Sequence, residues 1–104
     1  VEQDYEEAVR RYLLAAEQGN ADAMDNLGNC YNSGWGVDID KEEAVRWWRL
    51  AAEAGIASSQ HNLAASYYYG DGIEKNHDEA IRWFRLAAEQ GYEHSIVALE
   101  YLDM

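Results

Sequence analysis

The 104-residue sequence has no proline, one cysteine, one phenylalanine and only eight basic residues. Without proline or any linker-like stretch, nothing divides the chain, so a single domain is expected over residues 1–104. The lone Cys30 excludes an internal disulfide, and a reducing compartment such as the cytoplasm is compatible but not required. No apolar run approaches the ~20 residues of a membrane span. The acidic, polar start Val1-Glu2-Gln3-Asp4 is unlike a signal peptide. The first residue is not Met, so removal of an upstream segment is allowed for and the compartment stays open. Eight basic residues against twenty acidic ones leave a net charge of −12. Such a surface repels phosphate backbones and anionic lipid, so neither nucleic acid nor membrane is expected as a partner, whereas a basic protein segment would be attracted. The same charge also favours solubility. Apolar residues make up 48%, which excludes a disordered tail and suffices for one continuous core.

Internal repetition dominates what is present. Shifted by 36 residues, the chain lies on itself: Ala21, Asn26, Leu27, Tyr31, Gly34 and Gly36 recur as Ala57, Asn62, Leu63, Tyr67, Gly70 and Gly72. The segment from Glu43 to Gly55 recurs from Glu79 to Gly91, with Ala44, Trp47, Ala51 and Ala52 matched by Ala80, Trp83, Ala87 and Ala88. The expected units are a half repeat 1–19, full repeats 20–55 and 56–91, and a C-terminal half repeat 92–104.

Each unit predicts two helices. The second opens on a capping box, Asp4…Glu7, Asp40…Glu43 or Asn76…Glu79. An apolar stripe of the type Ala44, Trp47, Trp48, Ala51 follows, with Glu42–Arg46 and Arg49–Glu53 expected as i,i+4 pairs on the opposite face. Gly19, Gly55 and Gly91 fall where a left-handed C-terminal cap is wanted. In the first helix, Leu27, Cys30 and Tyr31, and then Leu63, Ser66 and Tyr67, share a core side. Gly28 and Ala64 are small where a neighbour must approach closely. Paired glycines in Gly34-Trp35-Gly36-Val37 and Gly70-Asp71-Gly72-Ile73 suit a turn, with Val37 and Ile73 tucked back on the core. Helices are therefore expected at 5–17, 21–33, 41–54, 57–69, 77–90 and 93–103. One pair alone could not bury its aromatic stripe, whereas stacked pairs could.

The run Ala21, Leu27, Gly28, Tyr31, Gly34, Gly36, Val37, then Ala44, Trp47, Trp48, Ala51, Ala52, Gly55, resembles the Sel1-like repeat, a relative of the tetratricopeptide repeat. The resemblance covers essentially the whole chain. Ala64 departs from it in place of glycine, Arg11 in place of an aromatic, and Glu100 and Asp103 in the last segment, which looks like a polar or degenerate cap. The family implies an all-α fold, a right-handed α-α superhelix (solenoid) of about three helix-turn-helix repeats. It also implies a scaffold or adaptor that assembles protein complexes, rather than an enzyme. Some bacterial relatives carry a cysteine pair in each repeat, which this chain lacks. Val1 aligns with Val37 and Ile73 in mid-unit, so the chain is expected to be a piece of, or patterned on, a longer array.

No residue set carries a reaction or a cofactor. His61, His77 and His94 have no i,i+4 partner and there is no Cys-x-x-Cys, so metal-ligand spacing is absent; a His61–His94 pair joined by Asp25 is conceivable but outweighed by ordinary surface histidines. Asp38-Ile39-Asp40 lacks the glycine and distal glutamate of a calcium loop. Cys30 reads as a small core residue, the paired glycines lack the lysine of a phosphate loop, and the tryptophans recur at core positions. No catalytic residue, metal or cofactor is assigned.

Binding is expected on the first helix of each unit, which lines the concave face of helical-pair solenoids. The positions off its core stripe are Asp22, Asp25, Asn29 and Asn32, then Ser58, His61, Ala65, Tyr68 and Tyr69, then His94, Val97 and Tyr101. This surface changes from acidic and amide-rich to aromatic. It suits a peptide or helix with a basic end and an apolar anchor, with Tyr68 and Tyr69 as central contacts. Asn26 and Asn62 resemble the asparagines that hold peptide backbone in some tetratricopeptide clamps. The basic residues of such clamps are absent, which speaks against a C-terminal carboxylate ligand. The alternative is self-association through the repeat ends, which exposed stripes around Val9, Tyr12 and Leu13, or Ile96 and Leu99, would favour.

Overall fold

The computed structural model describes residues 4–102. Six helices follow in order, with no strand among the described residues: α1 (Tyr5–Glu17), α2 (Ala21–Ser33), α3 (Lys41–Glu53), α4 (Ala57–Tyr69), α5 (His77–Glu89) and α6 (Glu93–Leu102). Each packs on the next in the chain, giving an elongated stack of 44 × 26 × 23 Å. Helices α2, α4 and α6 are the first helices of the repeat, and α1, α3 and α5 the second. No helix among the described residues is long and apolar enough to cross a membrane.

The caps set the boundaries. Asp4, Asp40 and Asn76 each accept a hydrogen bond from the backbone N–H three residues on, at 3.0, 3.0 and 3.1 Å, which satisfies one of the free donors of the first turn. The capping box forms only in this half. The Asp40 and Asn76 backbone N–H groups instead donate to the carbonyls of Tyr31 and Tyr67, both at 2.9 Å, pinning each second helix to the end of the first. The glutamates are left free, and Glu43 and Glu79 take Arg46 (2.7 Å) and Arg82 (3.0 Å). The i,i+4 pairs expected on this face are therefore replaced. Arg46 bonds Glu43 at i,i+3, and Arg49 donates to the Tyr67 hydroxyl at 2.7 Å, on the next first helix.

At the other end, α3 and α5 stop at Glu53 and Glu89, one residue before the expected 54 and 90, because Ala54 and Gln90 form the C-cap. Gly55 and Gly91 follow with φ of 98° and 85°. Gly55 donates to Ala52 and Ile56 to Ala51, the paired reverse bonds that close a helix on a left-handed residue. The expected end of α6 at 103 lies outside the described residues.

The core is built from parts of two units at a time. Val9, Ala16, Ala23, Leu27 and Cys30 enclose Trp47, while Val45 and Ala52 of the same helix α3 join Leu63, Tyr67, Trp83 and Phe84. Helix α3 is thus shared by both clusters, which makes the stack continuous. Leu27 and Leu63 are fully buried, each contributing ~2 kcal/mol of transfer free energy. The small residue expected at Gly28 is a steric requirement, since a Cβ there would overlap the Trp48 indole. Val37 and Ile73 do pack back on the core. Trp47, Trp48 and Trp83 are core residues, as expected, whereas Trp35 is 45% exposed.

Candidate functional site

Among the described residues, one groove recurs three times between successive helices. The first, about 430 Å³, is lined by Tyr12, Asn26, Asn29 and Cys30 with Asp4, Tyr5, Ala8 and Trp35. The second, about 190 Å³, is lined by Trp48, Asn62, Ala65 and Ser66 with Asn32, Tyr69 and Asp71. The third, about 510 Å³, is lined by Phe84, Ala98, Tyr101 and Leu102 with His61, Tyr68, Tyr69, His94 and Val97. The first four residues of each set are related by a shift of 36. The floor is always an aromatic of a second helix, and the walls come from first helices, joined in the first groove by Tyr5 and Ala8 of α1 and the loop residue Trp35, and in the second by the loop residue Asp71. All three carry aromatic side chains; the first two also carry amides and a carboxylate (Asp4, Asn26 and Asn29, then Asn32, Asn62 and Asp71), and the third carries neither.

Most of the first-helix residues singled out by the sequence line these grooves: Asn26 and Asn29 the first, Asn32, Asn62 and Ala65 the second, and His61, Tyr68, His94 and Tyr101 the third, with Tyr69 on both of the last two. Asp22, Asp25 and Ser58 line none. Asp25 already has partners within the chain: its two carboxylate oxygens accept from Ser59 Oγ at 2.6 Å and Ser58 Oγ at 3.0 Å, tying α2 to the first turn of α4. Ile56 at the start of α4 supplies no side-chain cap, and Asp25 places negative charge at that N-terminus from outside. The imagined His61–Asp25–His94 group is therefore not assembled.

One repeat later the same latch is rewritten. His61 stands where Asp25 stood and shares a 2.8 Å hydrogen bond between Nδ1 and Oγ of Ser95, the counterpart of Ser59. Around the His61 ring are Phe84 (5.2 Å between centroids), Tyr92 (5.4 Å) and His94 (6.0 Å). Burial, with the neighbouring His94 adding to it, holds the His61 imidazole below the ordinary histidine value. Burial also pushes the Cys30 thiol up, consistent with a core residue rather than a nucleophile.

Tyr68 and Tyr69 meet edge to face at 5.0 Å, and Tyr68 stacks on His77 at 4.7 Å, so this part of the third groove is held before any ligand arrives. Tyr69 and Tyr101 are 72% and 74% exposed, offering unspent apolar area. The proposed end stripes are less open: Val9 is buried, and Tyr12, Leu13, Ile96 and Leu99 are partly covered.

Tyr5, Tyr12, Trp35, Phe84 and Leu102 line grooves without having been anticipated as binding residues. The signal was available. Position 5 carries Tyr, then Lys41 and His77, and position 35 carries Trp, then Asp71. Variation between units therefore falls on the loop and second helix as well as on the first helix.

Comparison with known proteins agrees with this architecture. A protective antigen present in uropathogenic Escherichia coli strains, with an SLR fold, superposes with a TM-score of 0.95 at 44% identity, over 98% of this chain and 22% of that one. A Sel1 repeat protein from Oxalobacter formigenes gives 0.89 at 40% identity, over 94% and 40%. Cysteine rich protein B of Helicobacter pylori gives 0.82 at 23% identity, over 86% and 68%, a likeness of fold. The chain thus spans about a fifth and two fifths of the first two proteins. Among functionally curated proteins none matches significantly. The Sel1 repeat model matches residues 1–20, 21–56 and 57–92, the same periodicity that sets the three grooves, and the chain belongs to the Sel1 repeat family.

Proposed function

We propose that this chain is a non-enzymatic interaction module that binds a segment of another protein along its three grooves. Sel1 repeat proteins generally act as protein-interaction modules. The observation that carries the finer reading is that a carboxylate and amides (Asp4, Asn26, Asn29) stand beside the aromatics of the first groove and give way to aliphatic side chains (Val97, Leu102) beside those of the third. A segment with basic residues at one end and an aromatic or aliphatic anchor at the other fits this order. The net charge of −12 favours its approach, and the exposed Tyr69 and Tyr101 give an anchor apolar area to bury.

The test is fluorescence polarisation with labelled synthetic peptides carrying two lysines at one end and a phenylalanine–leucine pair at the other, against the chain and Tyr101→Ala. Binding that weakens about fivefold or more in the variant, and weakens again when either peptide end is replaced by serine, supports the reading. Failure of every such peptide to bind, or binding indifferent to Tyr101→Ala, refutes it.

A further inference from the structure

We propose that the first groove is a subsite for a lysine side chain of the partner, held by aromatic faces and the Asp4 carboxylate. This rests on the protein-binding reading and adds the chemistry of one contact. The groove is walled by Tyr5, Tyr12 and Trp35 with Asp4 at its edge, and none of its lining residues is basic. Tyr5 and Trp35 stack at 5.8 Å and 18°, which fixes both rings and leaves no room for a cation between them. An ammonium would lie in the groove against their accessible surface, where aromatic quadrupoles attract positive charge. Tyr5 and Trp35 are 42% and 45% exposed, so that surface is open.

The next repeat shows what this position holds when the chain supplies its own cation. Lys41 replaces Tyr5 and Asp71 replaces Trp35. The Lys41 ammonium bonds the side-chain oxygen of Asn32 at 2.8 Å and its carbonyl at 3.0 Å, with Asp71 at 3.9 Å. The first groove exchanges that internal ion pair for two rings at the edge of a groove of about 430 Å³. The nearby cations of α1 do not fill it, since Arg10 and Arg11 both pair with Glu7.

The 104-residue chain is titrated with N-acetyl-lysinamide and, at matched ionic strength, with N-acetyl-norleucinamide, its neutral hydrocarbon counterpart, while NMR follows the Trp35 indole N–H and the Tyr5 and Tyr12 rings. The lysine probe is expected to move these signals and the norleucine probe to leave them in place. Trp35→Ala should weaken the lysine response about fivefold. Asp4→Asn should weaken it while keeping α1 capped, as Asn20 and Asn76 cap α2 and α5. Equal responses to both probes, no response, or a response unchanged in both variants overturns the proposal. A silent first groove alongside peptide binding that depends on Tyr101 refutes this subsite and leaves the module standing. A lysine response without peptide binding does the reverse.

Discussion

Asp25 shows how much one side chain can do in a repeat protein. Both its oxygens are engaged by serines 33 and 34 residues away, and Ser59 is fully buried. Removing the carboxylate leaves that hydroxyl without its acceptor. Asp25→Ala should therefore lower stability by about 2–3 kcal/mol, seen as an earlier midpoint in urea unfolding; a shift under ~0.5 kcal/mol would mean that water replaces the carboxylate. The latch was hidden in the sequence because its partners lie one unit away, and an acidic residue off the core stripe looked like open surface. Trp47 and Trp83 make a second comparison. They occupy equivalent sites, yet Trp47 Nε1 donates to Glu43 at 3.1 Å, whereas Trp83 Nε1 is buried without a partner. Glu43 serves Trp47 while also pairing with Arg46, whereas its counterpart Glu79 pairs with Arg82 alone. Each Trp→Phe change removes similar packing, but only the one at 47 breaks a hydrogen bond. Trp47→Phe should cost about 1 kcal/mol more than Trp83→Phe by the same measurement, and equal costs would show that the Trp83 donor is satisfied in solution.

At the scale of elements, helix positions were legible because cap, stripe and terminal glycine agree locally. What they could not show is where the glutamate of each capping box goes, since the competing acceptors, the carbonyls of Tyr31 and Tyr67, approach only after the helices pair. The loop glycines separate two reasons for the same residue. Gly19 has φ of 91° and nothing within 4 Å of a built Cβ, so Gly19→Ala should cost about 1–2 kcal/mol, the left-handed backbone alone. Gly36 has φ of 77°, and its Cβ would also collide with the backbone of Tyr5 at the start of α1. Backbone cannot swing aside as a side chain can, so Gly36→Ala should cost clearly more than Gly19→Ala in thermal unfolding. If the two cost the same, the loop does not bear on α1 as described. Gly72 against Lys41 repeats the contact, so the second loop glycine is where one unit rests on the one before it.

At the scale of the whole molecule, the 36-residue period made the solenoid legible before any contact was known. The same period places the grooves, since a shift of 36 carries Tyr12, Asn29 and Cys30 onto Trp48, Ala65 and Ser66 and then onto Phe84, Tyr101 and Leu102. Groove walls from loops and second helices escaped because the second helices look like core, where Trp48 and Phe84 are indeed buried, and the openness of Tyr5 and Trp35 beside them depends on how the units stack. That stacking also gives the two inter-repeat latches different chemistry. Asp25 holds α4, and His61 holds α6 through Ser95. The folded His61 value is lowered, so the unfolded chain binds the proton more strongly. By linkage, this contribution to stability is complete above the unfolded value of about 6.5 and is lost as pH falls from there toward the folded value. A drop from about pH 7.5 to about 5.5 should therefore lower the urea midpoint. In native-state amide exchange the added opening should concentrate in α6, whose latch is the titrating one, while α2 keeps its protection. His61→Asn keeps a donor and an acceptor for Ser95 without titrating, and should show a smaller drop over the same range. An equal drop in variant and parent would assign the pH response to other groups and leave the His61–Ser95 contact as packing alone.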